Sequence, residues 1–442
     1  MTTTDLLPSL AAVVGDRYRS HEVPVRGGSM HVGVWEPAGG PESGTAAPTV
    51  LAVHGITASH VCWAELAAAL PHVRLVAPDL RGRGRSRDLP PPYGMPSHGD
   101  DVAAVLDHFG VESAVVVGHS MGAFVSLVLA DRHPEKVREL VLVDGGMPLI
   151  PPPGVAPEDM SMAILGPAAE RLAMTFPDRT TYREMWRSHP AFQDWTDLTS
   201  AYVDYDLVPE GAGLRPATRV EALNEDIREL VDGDSLVHAL ANRRHRAAWL
   251  LAPRGLMDEV PPLYPDAAVE RWTGEHPDLE VAMIEDVNHY TIVMLPEGID
   301  QVVPFVRDST GYEDRLMAMG CSMGAYHATN MLFKHPDIVG TAVALSGLYG
   351  PQTFVGDYMD DNVYFNFPLC YLPNLTDPWY IDRFRESDIV ICVGQGAWEE
   401  DSLRETRALE TDLHALGVQA WFDYWEELRN AGLSVASLRP DR

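Results

Sequence analysis

The stretch Gly118-His119-Ser120-Met121-Gly122 constrains this 442-residue chain more than any other. It follows the strand-like run Ser113–Val117 and precedes a helical pattern over Met121–Asp131. A serine on a sharp strand-to-helix turn has its hydroxyl lifted clear of the sheet, and glycine on either side lets neighbouring backbone pack closely. Free N–H groups at the start of the helix point toward any oxyanion that forms there. The competing reading is a chance match in a Gly/Ser loop, and the strand–helix context argues against it.

The surrounding pattern fits such a turn. Two short apolar stretches, Glu22–Val25 and Met30–Trp35, flank Gly27-Gly28 and read as an opening β-hairpin. Strands are expected at Thr49–Val53, Arg74–Ala77, Ser113–Val117 and Leu140–Val143, with helices at His60–Leu70, Asp100–Phe109 and Met121–Asp131 between them. Continuous Val/Ile/Leu runs are the mark of buried parallel strands. Their alternation with helices predicts an α/β fold, a mostly parallel central sheet with helices on both faces. The alternation breaks at the Pro-rich stretch Pro148–Pro157. From there to Arg246 the patterns are helical, without a convincing strand, and predict an inserted helical cap over about 148–246. Alternation resumes with a strand at Ala248–Leu251, a helix at Pro265–Trp272, a strand at Glu280–Ile284 and a closing helix at Gly298–Val306. This gives one domain over 1–307, a linker at 308–311 and a third region over 312–442.

Composition narrows the function classes. Hydrophobic residues make up 46%, enough for more than one core. The formal net charge of −31 repels phosphate backbones and anionic lipid, so neither nucleic acid nor membrane is an expected partner. The N-terminus has no basic n-region or cleavage site, and no apolar run approaches the ~18 residues of a membrane span. Cys62, Cys321, Cys370 and Cys392 form no CxxC pair. Together these give a cytoplasmic expectation.

A serine hydroxyl needs a base. His289 follows the last strand of the first domain and is expected to serve. The acid that orients it is expected after the preceding strand, at Asp258, with adjacent Glu259 as an alternative and Asp144 as a less favoured one. The oxyanion needs two donors. These are expected to be the N–H of Met121 and that of Ile56, in the His54-Gly55-Ile56 turn after Thr49–Val53. The run Pro78–Ser86 lacks the G-K-[ST] ending of a P-loop and the third glycine of a dinucleotide loop, and reads as a structural loop. No metal motif is present, and no metal or cofactor is expected.

Taken together, HGITAS, PDLRGRGRS, GHSMGA, Asp258 and the Asn288–Tyr290 segment resemble the α/β-hydrolase fold superfamily, in its capped esterase and lipase-like branch, over residues 20–307. The chain order Ser, Asp, His is that of the superfamily. The resemblance implies cofactor-free acyl transfer to water through an acyl-serine. Epoxide hydrolases and haloalkane dehalogenases share the fold but carry Asp at the nucleophile position, where this chain has Ser120. The expected substrate is a small to medium carboxylic ester or lactone. His119, Met160, Met162, Trp186 and Trp195 are candidates for binding it. The alternatives are C–C bond hydrolysis or cofactor-free peroxidation on the same triad, or a non-catalytic ligand receptor or scaffold.

The third region echoes the first. GHSMGAF at Gly118–Phe124 recurs as GCSMGAY at Gly320–Tyr326, and His133-Pro134 as His335-Pro336. Through GCSMGAYHATN, HPDIVGTAVALSG and VGQGAWEE it resembles esterases related to esterase D, with Ser322 at the nucleophile position and Glu399 or Glu400 after the next strand. The strands and oxyanion turn that should precede Ser322 are missing, and no histidine follows the last strand, Gln419–Tyr424. The region reads as half an esterase, expected to be inactive and a site of self-association.

Overall fold

The computed structural model describes residues 8–38, 48–150, 154–156, 159–310, 316–396 and 399–425. The chain divides into two compact units, Met1–Tyr312 and Glu313–Arg442. The boundary expected at 308–311 shifts, because the helix Pro296–Thr310 runs through nearly all of that stretch.

The first unit is built on an eight-stranded sheet. Its strands are β1 (Tyr18–Val25), β2 (Gly28–Trp35), β3 (Thr49–Val53), β4 (Arg74–Pro78), β5 (Ala114–His119) and β6 (Val137–Val143), then β9 (Ala247–Leu251) and β10 (Glu280–Met283). The hairpin β7 (Leu207–Glu210) and β8 (Gly213–Pro216) stands apart as a separate sheet. The order across the large sheet is β1-β2-β4-β3-β5-β6-β9-β10, antiparallel at β1/β2 and β2/β4 and parallel beyond. Successive residues of one strand point to opposite faces. Leu51, Val53, Val116, Leu140, Leu142 and Trp249 therefore enter one apolar core, while Val50, Ala52, Val115, Val117, Val141 and Leu250 enter another. Both faces are covered, which is why the strands read as unbroken apolar runs.

The segment between β6 and β9 is mainly helical, with Val220–Asp232 its longest helix. It is not strand-free, as the β7–β8 hairpin shows. These strands have four residues each and contain Pro209 and Pro216, too short for an alternation to show. No helix among the described residues is long and apolar enough to cross a membrane.

The second unit holds a four-stranded parallel sheet in the order β11 (Leu316–Cys321), β12 (Val339–Leu345), β13 (Asp388–Gly394) and β14 (Trp421–Trp425). Helices Met323–Lys334 and Glu400–Ala415 help close its core, where Phe333, Phe384, Ile391 and Leu409 are buried.

Candidate active site

Ser120 sits between β5 and the helix Met121–Arg132 with φ 53° and ψ −125°, a conformation costly for a residue with a Cβ. The surroundings hold it there. Its N–H donates to the Val143 carbonyl at 2.9 Å. A Cβ on Gly122 would lie 1.9 Å from the Val53 carbonyl oxygen, so only glycine lets this helix start so close to β3.

His289 lies between β10 and the short helix Thr291–Met294. Its Nε2 is 3.1 Å from Ser120 Oγ, and its Nδ1 is 2.6 Å from Oδ2 of Asp144. A carboxylate at Nδ1 fixes the proton there and leaves Nε2 free to accept from the serine. Asp144 is fully buried and follows β6 directly. Its own N–H donates to the Leu250 carbonyl at 2.7 Å, and its Oδ1 accepts from the Ala252 N–H at 3.2 Å. A Cβ on Gly145 would lie 2.2 Å from the Ser120 carbonyl oxygen. The Asp144-Gly145-Gly146 sequence is the signal that could have found this residue.

The acid expected at Asp258 is therefore corrected to Asp144. Both aspartates have positive φ, 43° for Asp144 and 60° for Asp258, and both follow neighbouring strands. Asp258 is taken up elsewhere. Its Oδ1 accepts from Arg254 at 2.6 Å and from Asn288 Nδ2 at 3.0 Å. Asn288 Nδ2 also donates to the Ala191 carbonyl in the cap, while its Oδ1 accepts from the N–H groups of Tyr290 and Thr291. Asp258 thus braces the loop that carries His289. The adjacent Glu259 accepts from the Met257 N–H at 2.6 Å.

A cavity of about 430 Å³, its open mouth included, lies over Ser120 and His289. Gly55, Ile56 and Thr57 form one wall, and Ala58, Leu165, Ala168, Leu256, Val293 and Met294 supply apolar surface. Among the described residues, no Asp, Glu, Lys or Arg lines it. His119 does line it, as expected, and bonds the His289 carbonyl through Nε2 at 2.7 Å. Burial, with His289 close by, holds the His119 imidazole well below its ordinary pKa, so it stays neutral.

Met160, Met162, Trp186 and Trp195, also expected to bind substrate, do not line this cavity. Met160 packs on the core and Met162 is exposed. Trp186 is buried among Tyr182, Phe192, Tyr202 and Tyr290, with the Arg171 guanidinium over its ring. Trp195 donates to Ser200 and lies under Arg187. Leu165, Leu256, Val293 and Met294, with Ala58 and Ala168 between them, make the wall instead, and nothing in the sequence marks these common aliphatic residues as pocket lining.

Among the described residues, His31, His60 and Asp79 stand close enough together to hold a metal ion. Their polar atoms are already paired: His60 with Asp79 at 2.8 Å and with Tyr18 at 2.9 Å, Asp79 with Tyr205 at 2.8 Å, and His31 with Glu22 at 2.7 Å. This is a buried hydrogen-bond network that ties the cap helix Asp197–Tyr205 to the sheet.

The second unit repeats the elbow without the rest. Ser322 has φ 56° and ψ −117°, and its N–H donates to the Leu345 carbonyl at 2.9 Å. The residue after β12, in the place Asp144 holds after β6, is Ser346, with φ 49° and its hydroxyl bonded to Glu399. No histidine among the described residues bonds Ser322.

The comparisons with known proteins agree with this architecture. Residues 48–195 match the family model for the alpha/beta hydrolase fold. A lipase of Mycobacterium tuberculosis, LipV, is 41% identical over 100 residues, 23% of this chain and 38% of the lipase. A 2-(acetamidomethylene)succinate hydrolase of Mesorhizobium japonicum is 26% identical over 289 residues, 65% of this chain and 94% of that enzyme. A crystal structure of E-2-(acetamidomethylene)succinate hydrolase superposes with a TM-score of 0.52 at 22% identity, over 65% of this chain and 99% of that one, which speaks to the fold. The chain spans about two fifths of the length of several curated relatives it matches. With its sheet order, its serine elbow and these matches, the first unit has the α/β-hydrolase fold, and residues 48–195 match that family.

Proposed function

We propose that the first unit cleaves carboxylic esters or lactones of small to medium size through an acyl-serine. The carrying observation is the hydrogen-bond chain Ser120–His289–Asp144 beneath an uncharged, largely apolar pocket. His289 Nε2 takes the Ser120 proton as Oγ attacks the acyl carbon, and Asp144 stabilises the resulting imidazolium. The oxyanion is met by the N–H groups of Ile56 and Met121. Collapse of the adduct expels the alcohol, which leaves with the proton from His289. Water then attacks the acyl-enzyme by the same route and releases the acid. With no cationic side chain among the described residues of its wall, the pocket favours a neutral acyl group over a carboxylate-bearing one. The second unit is catalytically silent in this reading, because no histidine among the described residues bonds Ser322.

The test is turnover of p-nitrophenyl esters and simple lactones by the whole chain and by Ser120→Ala. The variant is expected to lose at least about 10³-fold in kcat with its fold intact. Retention of more than about a tenth of the activity would remove Ser120 from the role.

A further inference from the structure

The loop after β4, from Pro78 to Ser86, reads in sequence as structural. Arg83 within it is fully buried, and a buried guanidinium persists only where acceptors and a counter-charge meet it. Its partners come from two directions. On one side, Nε–H donates to the Ile56 carbonyl at 3.0 Å, and Nη2 reaches the Met121 sulfur at 3.7 Å. These are the two residues whose N–H groups are assigned to the oxyanion. On the other side, Nη1 pairs with Asp226 at 2.5 Å and donates to the Arg81 carbonyl at 2.9 Å.

Asp226 belongs to the cap helix Val220–Asp232 and is itself fully buried. It also accepts from the Gly94 N–H at 2.6 Å and faces His98 Nε2 at 3.1 Å. Burial would push its carboxyl up, but Arg83 and His98 hold it below the usual carboxylate range, so it stays ionised. The Arg219 N–H donates to the Gly82 carbonyl at 2.9 Å, which adds a backbone tie between the cap and the same loop.

We propose that Arg83 is a positioning residue for the oxyanion hole, anchored by Asp226 of the cap. This rests on Ser120 acting as the esterase nucleophile. One planar fork grips both sides of the hole, the turn carrying Ile56 and the helix start at Met121, and so sets the spacing of their two donors. Cap docking and assembly of the hole become one event. A lysine would keep the charge but not the fork.

The experiment compares Arg83→Lys, Asp226→Asn and a control, Arg219→Gln, with wild type in the full chain. The Arg219 side chain touches Asp88 and the Arg87 carbonyl rather than Ile56. Reactive Ser120 is counted with diethyl p-nitrophenyl phosphate. Values of kcat and KM are then measured on a p-nitrophenyl ester, and Ki for a trifluoromethyl ketone that forms a tetrahedral adduct. Arg83→Lys is expected to lose about 10- to 100-fold in kcat per reactive site, with KM within about 2-fold and the ketone weakened by the same factor as kcat. Asp226→Asn is expected to shift the same quantities in the same direction by about 3- to 10-fold, and it carries the test if Arg83→Lys does not fold. Arg219→Gln is expected to match wild type. A purely structural ion pair would lower the melting temperature and leave kcat per reactive site and ketone affinity unchanged, and that result overturns the proposal. Wild type inert to both ester and phosphate would instead overturn the esterase reading, and this proposal with it.

Discussion

Replacing Asp144 with Asn should nearly abolish the proposed ester turnover, while replacing Asp258 with Asn should not. Asp144 meets His289 Nδ1 at 2.6 Å with its side chain only 1% exposed, so little solvent screens the pair. Two unit charges about 4 Å apart are worth ~4 kcal/mol at an effective dielectric of about 20. That stabilisation exists only once His289 is protonated in the transition state, so it enters kcat directly, as about 10³-fold. An amide can also turn its NH2 toward Nδ1 and select the wrong tautomer, which raises the expected loss to about 10³- to 10⁴-fold. Asp258 offers a different contrast. Its pair with Arg254 is partly exposed, with side chains 20% and 33% accessible, and such pairs contribute ~0–1 kcal/mol. Asn at 258 can still accept from Asn288, so the His289 loop should hold and kcat should fall less than about 5-fold. The assay is kcat on a p-nitrophenyl ester, normalised to serine reactive with a phosphate ester, with a melting curve for each variant. The reasoning is refuted if Asp258→Asn falls as far as Asp144→Asn is expected to, or if Asp144→Asn keeps more than a tenth of wild-type kcat.

Two further outcomes follow from the same contacts. His54 accepts the Leu80 N–H at Nε2, and burial pushes its pKa down to about 4, so the unfolded chain binds a proton below about 6.5 that the native chain refuses until about 4. Stability should therefore fall as pH drops from 6.5 to 4, by ~3 kcal/mol from His54 alone and further from His119, and a melting temperature that is flat or rising over that range would contradict this. The chain ended after Thr310, and the full chain carrying Ser322→Ala, should both keep full ester turnover per reactive Ser120. The shorter chain should be the more monomeric in sedimentation, whereas loss of turnover in Ser322→Ala alone would reveal a working second site.

Much of the fold is legible in the sequence because burial on both faces leaves continuous apolar runs, as in Thr49–Val53 and the Val115-Val116-Val117 core of β5. The serine elbow is legible because its glycines answer a local steric demand. The acid is less so, because both candidates follow a strand and have positive φ, Asp144 directly after β6 and Asp258 in the loop after β9. The glycine pair behind Asp144 is the one local difference, and the other is its tie to Leu250 on the neighbouring strand, a long-range contact that spacing does not encode. The helix expected from Asp100 begins at Met95, with Pro96 in its first turn, where a missing N–H costs nothing. The pocket is illegible for a different reason. Aromatic residues such as Trp186 find one another in the core, and the space over Ser120 is lined by aliphatic residues from separate parts of the chain, such as Ile56, Leu165, Leu256 and Val293, which no local pattern joins.

The most direct measurement of Ser120 as the working nucleophile is the site of covalent labelling in the full chain. The protein is treated with a fluorophosphonate, digested, and the adduct is located by tandem mass spectrometry. The expected result is one adduct, on the peptide containing Ser120 and absent from that containing Ser322, formed faster than in Asp144→Asn. An adduct on Ser322, or none on Ser120 in folded protein, would contradict the proposed mechanism.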